Sequence, residues 1–187
     1  MDNKRKIANA YIELLKKKNV DKITIKDIVE RCGLTRQSFY YHFHDIFDLI
    51  EWLMNEKICA VSKETLKAKS FRGAVEYLLK ELFDKYDIIA ALLNSKERST
   101  MEGIIIRTSR KYFISLYESR DNLRLTRYEL ETALDFYSCA VSGYMLGLCK
   151  RGDKNVERAA DRLVSLMASD GRLFDDDLSA SSTSRTL

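Results

Sequence analysis

The feature that most constrains the fold is the complete absence of proline from a chain of 187 residues. Proline interrupts helices because it lacks an amide hydrogen and clashes with the preceding turn. Only seven glycines occur, and the helix-tolerant residues Leu, Ile, Lys, Glu and Ala are frequent throughout. The sequence therefore predicts an all-α protein.

The N-terminal segment shows no sign of export. It lacks the apolar stretch and cleavage site of a signal peptide, and no part of the chain approaches the roughly 20 apolar residues that cross a bilayer. We therefore expect a cytoplasmic protein without a membrane partner.

The four cysteines, Cys32, Cys59, Cys139 and Cys149, are widely separated. They form no C-x-x-C pair and have no histidines at metal-ligand spacing. We expect reduced residues of the core rather than a disulfide or a zinc site, and we expect no metal and no cofactor.

The basic charge is concentrated at the N-terminus. Residues 1–44 contain ten Lys or Arg against five Asp or Glu, whereas the remainder is nearly neutral. Such an excess of positive charge favours binding to a polyanion, although a solvated lysine-rich helix face would give the same count of basic residues.

The first fifty residues carry three short helical patterns. Apolar residues recur at helical spacing from about Lys4 to Lys18. Thr24 is suited to cap a second helix that ends at Cys32-Gly33, and Thr35 is suited to cap a third over Arg36–His42. Two short helices joined by a tight glycine turn predict a helix-turn-helix.

The run Thr24-Ile25-Lys26-Asp27-Ile28-Val29-Glu30-Arg31-Cys32-Gly33-Leu34-Thr35-Arg36-Gln37-Ser38-Phe39-Tyr40-Tyr41-His42-Phe43 resembles the DNA-binding domain of the TetR family of one-component regulators. The family pattern is T-I-x-x-I-x-x-x-x-G-(L/V)-(S/T)-x-x-x-(F/L)-Y-x-(H/Y)-F. The close match covers about residues 5–54. Beyond them the chain is similar only in length and helical plan.

A recognition helix presents its first residues to base edges in the major groove. Arg36 can hold guanine and Gln37 adenine through paired hydrogen bonds, and Tyr40 and His42 can reach thymine methyls or phosphates. The hydroxyls of Thr24, Thr35, Ser38 and Tyr41 suit phosphate oxygens, and the resemblance implies that Lys26 also points into the groove. The alternative is that Tyr40, Tyr41 and His42 are partly buried aromatics of an interface helix.

The next segment departs from the family. Ile46 stands where the family very often has a lysine that meets a phosphate, which predicts a salt dependence flatter by about one unit per half-site. The pattern F-x-D-I-(Y/F)-D-L-(I/L)-E-W resembles the subgroup that regulates dihydroxyacetone-kinase operons. Some of its members are activators with a protein co-regulator.

We expect a long fourth helix from Ile46 to about Lys69, then helices at about 71–86, 87–94, 98–118, 126–150 and 154–170. The predicted domains are a helix-turn-helix DNA-binding domain at 1–48, a helical ligand-sensing and dimerisation domain at 49–172 and a flexible tail at 173–187.

Dimerisation is expected through the last two helices, because a palindromic operator needs two readers about 34 Å apart. The candidate interface residues, which could equally be intramolecular core, are Phe136, Tyr137, Ala140, Val141, Tyr144, Leu148, Leu163, Leu166 and Met167, with Gly143 and Gly147 allowing close helix approach.

The resemblance implies an effector pocket within the bundle. Arg107 and Tyr112 are candidate polar groups there, although surface or core positions suit them as well. An apolar cavity of about 300 Å³ or more would favour a small ligand, and a closed body would favour a protein partner.

Catalysis is not expected. The chain has no P-loop and no G-x-S-x-G, and its only histidines are His42 and His44. The sequence predicts a homodimeric repressor released by a small-molecule effector. The alternative is a DNA-bound activator or interaction protein controlled by a protein co-regulator.

Overall fold

The computed structural model describes residues 2–68, 70–119 and 125–168. Within these ranges the chain is helical, with a single 3₁₀ turn at Val20–Lys22 and no strand. The helices are α1 (Asn3–Leu15), α2 (Ile25–Cys32), α3 (Arg36–His42), α4 (Ile46–Thr65), α5 (Phe71–Phe83), α6 (Tyr86–Leu93), α7 (Arg98–Glu118), α8 (Arg127–Arg151) and α9 (Val156–Ala168). The all-α prediction is confirmed, while the expected tail at 173–187 lies outside the described residues.

Three helices end earlier than the sequence predicted. α1 ends at Leu15 rather than Lys18, α4 at Thr65 rather than near Lys69, and α5 at Phe83 rather than near residue 86. An exposed lysine follows each terminus within two residues, and such residues gain no packing by continuing a helix.

The first hydrophobic core, which we call the reader core, is built mainly by α1, α2, α3 and the start of α4. Its fully buried side chains are Ile7, Tyr11, Ile28, Phe39, Phe43 and Leu49. Leu93, Met101, Ile104, Leu146 and Cys149 also belong to it. The reader core thus extends past residue 48 and rests on α6, α7 and the end of α8.

The second hydrophobic core, which we call the body core, lies among α4, α5, α7, α8 and α9. It contains Val61, Leu79, Phe113, Leu134 and Leu163 among its buried members. α4 contributes to both cores, because Leu49 and Ile50 lie in the first and Val61 in the second. A helix of 20 residues is about 30 Å long, so α4 links the two packing units rigidly.

An aromatic group closes the junction of α1, α3 and α4. The rings of Phe43 and Trp52 meet edge to face, with centroids 5.8 Å apart. The Lys4 ammonium lies 5.2 Å from the Phe43 centroid and 5.0 Å from that of Trp52. Cation–π contacts of this kind contribute about 0.5–1 kcal/mol at partly exposed sites.

The cysteines correct one prediction. All four are free, as expected, but Cys59 and Cys139 are exposed and only Cys149 is buried. Helices with apolar residues on several faces do not reveal from sequence which face turns inward, so the apolar neighbours of these cysteines were misleading.

Candidate DNA-binding site

The turn between α2 and α3 is fixed by three local features. Thr24 caps α2 in a capping box with Asp27. Gly33 ends the helix with φ 67° and ψ 31°, a left-handed conformation that costs glycine nothing. Thr35 then caps α3, accepting a hydrogen bond of 3.1 Å from the Ser38 amide. The sequence encodes this turn almost residue by residue.

The inner side of α3 is anchored by aromatic packing. Phe39 and Phe43 are buried, and their ring centroids lie 5.8 Å apart. Phe39 also meets Tyr40 edge to face at 5.7 Å. Because the buried rings fix the rotation of this short helix, the opposite face must point to solvent.

That outer face carries the predicted base-reading residues. Arg36 and Gln37 are exposed, and their side chains form no hydrogen bond or ion pair with another described residue. Tyr40 is 57 % exposed and Tyr41 is 85 % exposed, so two neighbouring aromatic side chains are open to a partner on the same surface. The interface-helix alternative for these tyrosines would need a protein rather than DNA to cover them.

Ser38 and His42 are half-buried beside them, and the His42 ring meets Tyr41 edge to face at 5.0 Å. The residues from Thr35 to His42 therefore form one surface, which we call the reading face. A cleft of about 470 Å³ adjoins it, lined by Thr35, Gln37, Ser38, Tyr41 and His42 and by Asp2 and Asn3 at the start of α1. Asp2 and Asn3 were missed from sequence; Asp2 caps α1 by accepting a hydrogen bond from the Lys4 amide at 3.2 Å.

Thr24 and Lys26, at the start of α2, differ in how free their polar groups are to bind a phosphate. The Thr24 hydroxyl donates to the Asp27 carboxylate at 2.7 Å and accepts from the Asp27 amide, so its proton is already used within the cap. Lys26 is exposed, and among the described residues its ion pair is a loose one with Glu30 at 3.7 Å. Its charge is free to meet a phosphate, because exposed helical pairs are worth only about 0.3–0.5 kcal/mol.

Asp27 stabilises the start of α2 as an ion. A hydrogen bond from Lys18, at 2.8 Å, and two from Thr24 hold the pKa of this carboxyl at about 2. The Asp27 charge also favours the positive N-terminus of the helix. The Lys18 ammonium is therefore paired with Asp27 of α2, and we do not count it among the DNA-contacting groups.

The start of α4 is apolar and acidic. Ile46 is half-buried against the reader core. Asp45 caps the helix by accepting from the Asp48 amide at 2.8 Å, and Asp48 accepts from the His44 amide at 3.0 Å. This end of α4 offers no cationic side chain to a phosphate.

The predicted dimer residues fall into two groups. Tyr137, Val141, Leu148, Leu163 and Met167 are buried within the chain, in the body core. Phe136 and Leu166 are 61 % and 68 % exposed, Ala140 is exposed and Tyr144 is half-buried. The Tyr144 hydroxyl donates to the Ala159 carbonyl at 3.3 Å and so ties α8 to α9.

The predicted effector residues lie apart from each other. Arg107 is on the surface, where its guanidinium donates to the Glu51 carboxylate at 2.7 Å; this hydrogen bond raises the pKa of Arg107 and lowers that of Glu51. Tyr112 is buried in the body core beside Phe113. The described body carries a surface groove of about 270 Å³ between α4 and α7, and neither residue lines it.

Two further findings concern the described residues only. They contain no group of three or more His, Cys, Asp or Glu side chains placed to hold a metal ion. None of their helices combines the length and the apolar character needed to cross a membrane.

Comparison with known proteins agrees with the geometry. The family model "Bacterial regulatory proteins, tetR family" matches residues 7–51, which include α2, its turn and α3. No curated protein sequence matches the chain.

Solved structures extend the likeness to the body. The fold resembles "Dihydroxyacetone kinase operon activator DhaS" with a TM-score of 0.64 at 15 % identity, over 92 % of this chain and 98 % of that one. A TetR transcriptional regulator from Rhodococcus sp. RHA1 gives 0.59 at 17 % identity, over 87 % and 95 %. The TetR family repressor AlkX from Dietzia sp. strain DQ12-45-1b gives 0.54 at 12 % identity, over 89 % and 93 %.

Residues 7–51 thus match the model of the tetR family of bacterial regulatory proteins, and the fold of the described residues resembles those of solved TetR-family regulators.

Proposed function

We propose that this chain acts as a homodimer that reads a palindromic operator in cytoplasmic double-stranded DNA through the reading face of α3. The observation that carries the proposal is the exposure of Arg36, Gln37, Tyr40 and Tyr41 on a helix whose other side is buried. Arginine, glutamine and tyrosine side chains exposed together on one helix face offer the charge and hydrogen bonds that DNA recognition uses.

Each residue of the site has a proposed task. Arg36 and Gln37, in the first turn of α3, read base edges. Tyr40 and His42 contact thymine methyls or the backbone, and the hydroxyls of Thr35, Ser38 and Tyr41 bind phosphate oxygens. Lys26 contributes charge from α2. Thr24 acts through the cap that orients α2, because its proton is already donated to Asp27.

The exposed face of α8 and α9 supports the homodimer. Phe136, Ala140 and Gly143 follow one another at helical spacing along α8 and are all exposed, and Leu166 is exposed on α9. A Cβ added at Gly143 would meet nothing within 4 Å, so a second helix could approach closely there. A two-fold axis through this face would give each protomer the same surface.

The form of control has two candidates. The first is a repressor released by a small-molecule effector, for which the groove of about 270 Å³ between α4 and α7 is a candidate site. In this mechanism, the effector lowers operator affinity by preferring a different spacing of the two readers, typically by about 1–3 kcal/mol.

The second candidate is an activator or interaction protein controlled by a protein co-regulator. It is favoured by the volume of that groove, which lies just below the roughly 300 Å³ of ordinary ligand pockets. The fold similarity to a protein described as an operon activator points the same way. The reading face serves both candidates equally.

Selection of bound sequences from a random DNA pool, at stated salt, tests the common part. We expect an inverted repeat to be enriched, and we expect Arg36→Ala and Tyr40→Ala to abolish specific binding without unfolding the body. The matched control is Arg127→Ala, an exposed arginine at the far end of α8 from the reader core. Sequence-specific binding retained by both reading-face variants would refute the site.

Transcription in vitro from a promoter that carries the selected operator separates the two forms of control. A repressor lowers the transcript when added alone. An activator raises it, alone or with its partner protein. The sign of the effect does not depend on which bases the reading face selects, so this assay can contradict one form of control while the selected operator stands.

A further inference from the structure

The cleft beside the reading face contains a side chain to which the proposed function gives no task. Asp2 lines it from the start of α1, and it is the one acidic residue among the seven described residues that form the walls. Gln37, in the first turn of α3, lines the same cleft. The start of α1 and the base-reading turn of α3 therefore share one opening.

The Asp2 carboxylate is open to a partner. The side chain is exposed, and one of its oxygens accepts from the Lys4 amide at 3.2 Å, which caps α1. The nearby cations are engaged elsewhere, because the Lys4 ammonium lies over two aromatic rings and Arg5 pairs with Glu56 at 3.1 Å. No cation of the described residues pairs with Asp2. Since an ionised carboxylate has about four acceptor positions, most of its capacity is unused.

The cap of α1 does not explain why this residue is an acid. Serine and asparagine cap helices about as well as aspartate does, and the attraction of an exposed charge to a helix N-terminus is weak and screened by salt. A negative charge also repels DNA phosphates. An aspartate at this position therefore reduces the affinity for DNA unless it makes a favourable contact there.

The chemistry of DNA offers such an acid few partners. An ionised carboxylate only accepts hydrogen bonds, whereas the phosphate oxygens, guanine N7 and O6, adenine N7 and thymine O4 are acceptors as well. The donors in the major groove are the amino groups of cytosine and adenine. These amino groups are therefore the groups of an operator that can satisfy the Asp2 carboxylate.

We propose that Asp2 is a specificity-determining residue, whose carboxylate accepts a hydrogen bond from the amino group of one cytosine or adenine in each half-site. This inference rests on the proposed function, because it requires α3 to read an operator. Gln37 and Asp2 line one cleft, so the base pair that Asp2 reads lies at or next to the one that Gln37 reads.

Selection from the random DNA pool, at one salt concentration, compares the full-length parent with Asp2→Ser. The variant loses the carboxylate and keeps the cap, since serine is a good N-cap residue. We expect both proteins to enrich an inverted repeat. We expect the variant to lose the preference for cytosine or adenine at one position of each half-site and to keep the preferences at the other positions.

Asp45→Ser is the matched control. Asp45 is also an exposed acid that caps a helix, α4, by accepting from the Asp48 amide, and it does not line the cleft. This variant should select the repeat of the parent. Thermal denaturation should give both serine variants the Tm of the parent, because both caps are retained, so a changed repeat cannot be attributed to unfolding.

A base without its amino group tests the hydrogen bond itself. At the position that the selection identifies, 2-pyrimidinone replaces cytosine or purine replaces adenine, which removes the exocyclic amino group. The parent should lose affinity about fivefold more than Asp2→Ser does, because an ordinary base contact is worth at least that much. Both proteins are titrated with the same duplexes, so a change in the DNA itself cancels in this ratio.

Two results would overturn the proposal while the proposed function stands. One is a repeat that Asp2→Ser leaves unchanged at every position, whether or not the affinity for all sequences rises as it would if Asp2 faced phosphates. The other is an equal loss in parent and variant when the amino group is removed. Failure of the parent to enrich any inverted repeat would instead refute the proposed function, and the parent's selection reports that result separately.

Discussion

The left-handed glycine between α2 and α3 allows a quantitative test of how the reading face is held. Gly33 has φ 67°, and a Cβ built on it would meet nothing within 4 Å. The substitution Gly33→Ala therefore adds backbone strain without a steric clash. Any change in the free energy of unfolding therefore measures the conformational cost of a left-handed alanine, without a contribution from a clash.

The expected cost is about 1 kcal/mol. A left-handed conformation costs a non-glycine residue about 1–2 kcal/mol, and the loss of chain entropy in the unfolded state returns about 0.4–1 kcal/mol. For a chain of 187 residues, a net 1 kcal/mol lowers Tm by about 2–4 °C. Gly33→Asn should cost less, because asparagine tolerates this region.

Gly152 provides the matched control. It ends α8 with φ 64°, and its added Cβ would approach only the Tyr86 hydroxyl, at 3.9 Å. Gly152→Ala should lower Tm by a similar amount. Only the Gly33 variant should also lose operator affinity, by at most about fivefold, because reorienting α3 can relieve no more than the 1 kcal/mol of strain.

Thermal denaturation and operator titration at one salt concentration measure both effects. The reasoning is wrong if Gly33→Ala is as stable as the parent, since the strain would then be absent. A loss above about 3 kcal/mol would also refute it, because strain alone does not reach that value.

Three further predictions concern charge, assembly and pH. Ile46→Lys should steepen the dependence of log affinity on log salt by about 0.9 for each half-site, measured by operator titration across salt concentrations; an unchanged slope would show that this end of α4 does not face the backbone. Phe136→Asp should weaken dimerisation by about 2–4 kcal/mol without unfolding the protomer, because the ring is exposed; sedimentation that still shows a dimer at low micromolar concentration would contradict the proposed face. Asp27→Asn should destabilise the protein at pH 7, because the pKa of Asp27 is lowered from 3.8 to about 2 on folding. The difference in free energy of unfolding between variant and parent should shrink as pH falls from about 4 to 2. Urea unfolding at several pH values measures it, and a difference that stays constant over this range would contradict the prediction.

The helix-turn-helix region could be predicted closely because its sequence signals are local. Thr24 and Thr35 are N-caps, Gly33 is a left-handed C-cap, and Phe39 and Phe43 lie at inward spacing. Each of these depends on neighbours within a few residues. Caps and turns of this kind are read from short sequence windows, and α2 and α3 have the predicted bounds.

The body was harder because its helices are apolar on more than one face. α8 buries Tyr137 and Val141 while exposing Phe136 and Ala140, so sequence spacing alone did not separate the body core from an outer interface. The groove was missed for a related reason. Its walls come from α4 and α7, which are far apart in the chain, and only the packing of these helices forms it.

The contact of Lys4 with Phe43 and Trp52 gives the protein a built-in optical probe. Trp52 is the only tryptophan in the sequence, and it lies where α1 and α3 meet α4. Its fluorescence therefore comes from one edge of the reader core, while circular dichroism sums all the helices. Comparing the two signals during unfolding would show whether the reader core melts separately from the body core or together with it, without any added label.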